Sequence, residues 1–61
     1  MSLLISILIL LGLHATPDQL NDQAYVSENQ TTINRANTII DNNWYRISEG
    51  GVVIIDEDVA N

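Results

Sequence analysis

Leu3–Leu13 places nine large aliphatic side chains in eleven positions, and no charged side chain occurs before Asp18. No other feature of the chain limits its fold so strongly. Wound as a helix, the run is apolar on nearly every side. Leu3, Leu4, Ile7, Leu8 and Leu11 face one way, and Ile5, Ile9 and Leu10 face the other. A helix of that kind must be surrounded by lipid or by protein. The polar remainder of the chain is expected to be too small to surround it alone.

Three environments suit such a segment. A secretory signal has a basic start, an apolar stretch and a small residue before the cut. Here Ala15 fits the cut, but no Lys or Arg precedes the run and Leu13 stands where a small residue is preferred. A membrane anchor needs about 20 apolar residues to cross a hydrocarbon layer of about 30 Å. Residues 1–15, at about 1.5 Å each, would fall short and would have to thin the bilayer. Burial in protein is the common fate of apolar runs of about 10–14 residues. In the second and third readings the chain works inside something larger, with Leu4, Ile7, Leu8 and Leu11 as the inserting residues.

Chain length sharpens this argument. Sixty-one residues make one domain at most, and a chain this short buries only about 60% of its unfolded surface. Small scaffolds usually carry a disulfide, a metal or a partner. The chain has no Cys, which leaves neither a disulfide framework nor a thiolate metal site. A partner chain is the remaining device, and a second copy of this chain could serve.

Charge narrows the class of partner. Eight carboxylates face Arg35 and Arg46, there is no Lys, and the net charge is −6. Phosphate backbones are bound by cationic side chains that release counterions, so nucleic acid is not an expected partner. Anionic lipid surfaces are disfavoured for the same reason. Contact with a bilayer would have to be hydrophobic, through the N-terminal run.

The body of the chain, residues 16–43, opens with a helix start. Thr16 suits an N-cap, Pro17 the first helical position, and Gln19 can complete a capping box. Asp18 favours the positive end of the helix dipole. Asp18 and Asp22 stand four apart, but without a third ligand they read as capping and solvated groups. Beyond them run a thin stripe of Leu20, Ala24 and Ser27 and a better one of Val26, Ile33, Ala36 and Ile40. Frequent Asn, Thr and Ser lower helix propensity, and "SENQTTIN" is expected to break the helix in two.

Residues 44–61 read as a β-hairpin with an acidic tail. Two β-rich runs flank Gly50–Gly51 in "NWYRISEGGVVIID", the pattern of a tight turn. A loop at Gly50–Gly51 or at Glu49–Gly50 gives the same faces. Tyr45, Ile47, Val52 and Ile54 line one, and Trp44, Arg46, Val53 and Ile55 line the other. Both are largely apolar, and an isolated ribbon is marginal in water. Either one face covers the helix and the other a partner, or the ribbon joins a neighbour's sheet by edge pairing, with Trp44, Tyr45, Ile47, Val53 and Ile55 expected at the interface. Arg46 is expected to pair with Asp56 or Glu57.

Chemistry-bearing constellations are missing from the sequence. His14 is the single histidine, set at the end of the apolar run and far in sequence from most carboxylates. No nucleophile–base order, H-E-x-x-H or phosphate-cradling loop occurs. "DED" at 56–58 lacks the spacing and turn glycine of a calcium loop. Asn29-Gln30-Thr31 matches the N-glycosylation acceptor, a match expected by chance in a chain rich in Asn and Thr.

The sequence thus describes a small α+β chain: an apolar N-terminal helix, an amphipathic and broken middle, and a C-terminal hairpin. It is not expected to stand as an independent globular domain. The expected role is a non-enzymatic structural or accessory subunit of a membrane complex or virus particle, without cofactor or metal. The alternative is a secreted acidic binder or inhibitor released after Ala15.

Overall fold

A computed structural model describes residues 2–55. Four helices precede a two-stranded sheet: α1 Leu3–Leu10, α2 Pro17–Leu20, α3 Gln23–Glu28, α4 Gln30–Asp41, β1 Tyr45–Ser48 and β2 Gly51–Ile54. The chain is a small α+β fold measuring 31 × 23 × 18 Å. The expected Arg46 partners, the "DED" run and the rest of the acidic tail lie outside the described residues.

α1 begins at Ser2, whose Oγ accepts the Ile5 amide. It ends well short of Ala15. The Leu13 amide donates to the Leu8 carbonyl at 2.8 Å and the Gly12 amide to the Ile9 carbonyl at 2.9 Å. This paired closure is a Schellman motif, and it requires a left-handed residue after the cap. Gly12 provides it at φ +96°. The apolar run is therefore one helix of eight residues plus a turn, about 12 Å of helix.

The middle forms three short helices. The capping box forms as the sequence suggests: Thr16 Oγ1 accepts the Gln19 amide, and Gln19 Oε1 accepts the Thr16 amide. Yet α2 lasts a single turn, because Asp22 caps a new helix by accepting the Ala24 amide. Asn29 then separates α3 from α4, while its Nδ2 donates back to the Tyr25 carbonyl at 2.9 Å. The break lies inside "SENQTTIN", where one was expected.

The core gathers around α1, which packs on α4 on one side and on β2 on another. Ile7, Leu8 and Ala15 meet Ile33, Ala36 and Ile39 in one buried cluster. Sequence periodicity selected Ile33, Ala36 and Ile40 on α4. Ile39 is fully buried and Ile40 only half-buried. The buried stripe widens toward Ile39 because the chain folds back there: the Trp44 amide donates to the Ile39 carbonyl at 2.9 Å. Ala24, assigned to the thinner stripe, is exposed.

Asn43, at φ 56°, reverses the chain into the hairpin. The register pairs Tyr45 with Ile54, Arg46 with Val53, Ile47 with Val52 and Ser48 with Gly51. The loop is therefore Glu49–Gly50, one of the two options the sequence offered. Gly51, at φ +116°, takes the backbone geometry that side chains disfavour.

Candidate interaction surface

Among the described residues, two apolar areas on the outside each arise from a local feature of the sequence. The first is the hairpin. Strand alternation sends Tyr45, Val52 and Ile54 inward, where they pack against the buried cluster. Arg46, Val53 and Ile55 point away from it and are exposed. Val53 keeps 41% and Ile55 54% of its surface in solvent.

Ile47 shares the inward register, yet it is 72% exposed. It lies next to the turn, beyond the core, so its neighbours on that face leave it uncovered. The sheet has only β1 and β2, so each strand has an unpaired long edge among the described residues. Trp44 continues the ribbon by accepting the Ile55 amide, and its ring is half-buried against the core.

The five hairpin residues selected from sequence thus divide. Trp44 and Tyr45 help to seat the hairpin on its own chain. Ile47, Val53 and Ile55 face solvent. The four inserting residues divide too. Ile7 and Leu8 have no exposed surface, and Leu4 and Leu11 are half-buried against the same cluster.

The second area is an open groove of about 550 Å³, lined by Ser2, Ile5, Ile9, His14, Ala15, Thr16 and Pro17. Ile5 and Ile9, each half-buried, stand one helical turn apart on α1 and line this groove. Leu10, beside them in sequence, is 51% exposed. The inserting set chosen from sequence omitted Ile5, Ile9 and Leu10, though the division of α1 into two sides marked them. What the sequence did not show is which side its own chain would cover.

Chemically the two areas offer hydrophobic contact and little else. No polar or charged residue is buried among the described residues. No cluster of three His, Asp or Glu side chains suited to a metal forms among them. No helix among them is long and apolar enough to cross a membrane. Comparison with family models, curated proteins and solved structures finds no match.

Proposed function

We propose that this chain is a small non-enzymatic accessory subunit that docks on a larger protein assembly through the outer face and tip of its hairpin. The supporting observation is the exposure of Val53 and Ile55 on the outer face, and of Ile47 at the tip, of a ribbon already seated by its inner face. Exposed aliphatic surface favours association, since each side chain removed from water contributes about 25 cal/mol per Å². Arg46, paired with Val53 in the strand register, adds a polar contact of the kind enriched at protein interfaces. The partner is protein, in a membrane complex or a virus particle, and not nucleic acid.

Retention of residues 1–15 belongs to this reading. Release after Ala15 would remove Ile7, Leu8 and Ala15, three of the six residues buried among those described. A secreted remainder would keep the hairpin and α4 with no helix between them.

The test is native size fractionation of extracts from the natural source, with the chain detected by antibody. The chain is expected in a particle far larger than its own 6.8 kDa. The Ile47→Asp/Val53→Asp variant, with its circular dichroism unchanged, is expected to run free. Wild-type chain running at its own size would overturn the reading.

A further inference from the structure

The hydrogen-bond phase of the hairpin fixes which main-chain groups its edges present. The Ile55 amide donates to the Trp44 carbonyl at 3.0 Å, so these two residues form a hydrogen-bonded pair of the ladder. Such pairs alternate with non-bonded ones along an antiparallel ribbon. Arg46–Val53 and Ser48–Gly51 therefore exchange bonds, whereas Tyr45–Ile54 and Ile47–Val52 do not. The amides and carbonyls of Val52 and Ile54 consequently point away from β1, out of the free edge of β2. No other main-chain hydrogen bond reaches them among the described residues.

The two edges of the ribbon differ in what would pair with them. Sheets protect open edges with charge, proline or a bulge. β1 carries Arg46. Residues 51–55 carry neither charge nor proline, run against β1 without a bulge, and are β-branched at four of five positions. They are also self-complementary. Set antiparallel to a second copy about Val53, Val52 of each copy lies opposite Ile54 of the other, and Val53 lies opposite its own equivalent. Val52 and Ile54 then sit at the hydrogen-bonded positions, where their outward amides and carbonyls meet. Every side chain brought across is aliphatic, the kind of pair that stabilises a sheet. The same pairing of β1 about Arg46 would set two guanidinium groups against each other. Pairing β1 with β2 of a copy would leave a free edge at each end and propagate without closing.

We infer that the free edge of β2 is a self-association site, at which two copies of this chain pair antiparallel about a twofold axis at Val53. The product is a closed, four-stranded sheet in the order β1-β2-β2-β1. Its twofold stands perpendicular to the sheet and preserves the faces. Tyr45, Val52 and Ile54 of both copies stay on the core side, and Val53 and Ile55 of both meet on the outer side. A two-stranded ribbon is marginal in water, and more strands over a covered face relieve that weakness. The second copy is thus the partner expected of a short chain without Cys. The inference rests on the edge of β2, and the outer face remains open to the docking proposed above.

The test uses the purified full chain alone, by sedimentation equilibrium and by thiol cross-linking. The wild type is expected at twice its 6.8 kDa. Val53→Asp places like charges at the twofold and is expected to sediment as a monomer with its helical circular dichroism retained. With no native Cys to interfere, one introduced thiol reports one position. Val53→Cys is expected to oxidise to a disulfide-linked dimer, because a non-bonded pair has Cα atoms about 4.5 Å apart, within the about 4.4–6.8 Å that a disulfide spans. Arg46→Cys lies in the same rung, but three strand spacings, about 14–15 Å, from its equivalent. It is expected to stay unlinked. A monomeric wild type would overturn the inference, and so would linkage through Arg46→Cys in place of Val53→Cys. The docking proposal is read separately, by particle size in source extracts. A monomer here would leave it standing, and a chain free of any large particle there would leave the dimer standing.

Discussion

Leu8→Ala separates burial by the chain itself from burial by something else. Leu8 has no solvent exposure, and its carbonyl also anchors the turn after α1. Truncation to Ala removes buried methyl and methylene groups and leaves a cavity, at a cost of about 2–5 kcal/mol. A chain of this length has a total stability of roughly 3–9 kcal/mol, at about 0.05–0.15 kcal/mol per residue. The substitution therefore consumes a large part of what holds the fold. With a shift of about 4–8 °C per kcal/mol in small domains, even the lower bound moves Tm down by about 8–16 °C.

Leu10→Ala is the matched comparison, with the same chemistry two residues away. Leu10 is 51% exposed, and its truncation is expected to cost less than about 1 kcal/mol. Thermal melts and urea titrations of the three proteins, followed by far-UV circular dichroism, measure both values. Equal losses for Leu8 and Leu10 would refute the reasoning, because α1 would then have no inner side of its own. Expected instead is a clear gap between the two variants, with unchanged m-values showing that the same surface is exposed on unfolding.

Gly12→Ala isolates the backbone of the α1 turn. An added Cβ meets nothing within 4 Å, so the loss comes from φ +96° alone. It is expected at about 1–2 kcal/mol, read from the urea midpoint. Thr16→Ala removes the cap of α2 and is expected to cost about 1 kcal/mol by the same measurement. Ile47→Asp alters a side chain at the exposed hairpin tip. It is expected to change folding stability by about 0.5 kcal/mol or less in a thermal melt, while the large particle is lost in size fractionation.

The features legible in the sequence are those fixed over short range. Thr16-Pro17-Asp18-Gln19 contains every atom of its capping box, so the helix start at Pro17 follows from four residues. The hairpin faces follow from strict alternation, whichever of the two loops is chosen. The end of α1 was also legible in principle, since a glycine directly after an apolar run is a helix stop. Uniform hydropathy across Leu11 and Leu13 conceals it, because the turn is as apolar as the helix. Ile39 was out of reach for another reason. The Ile33, Ala36 and Ile40 stripe defines one side of α4, and only the return of the chain at Asn43 and Trp44 covers the side where Ile39 lies. Ile47 shows the reverse case. Its register is inward, but the core ends before it.

The surplus of apolar residues in α1 bears on assembly. Its apolar character has almost no preferred side, whereas that of α4 is strongly one-sided. A helix that only filled this core would need Ile7 and Leu8 with half-buried support from Leu4 and Leu11. Ile5, Ile9 and Leu10 exceed that need, and polar residues there would be better solvated and less prone to aggregation. Their presence makes sense if the groove, like the hairpin face, is covered when the chain is in place. Ile5→Gln/Ile9→Gln, at half-buried positions, is therefore expected to lower Tm while the chain stays folded by circular dichroism, and to weaken incorporation into the large particle. Combined with Val53→Asp, it discriminates further. Losses that multiply would mean two independent contacts, and a combined loss no greater than the larger single one would mean one cooperative partner surface. A variant that stays folded and incorporates normally would remove the groove from the interface and leave the hairpin alone as the docking element.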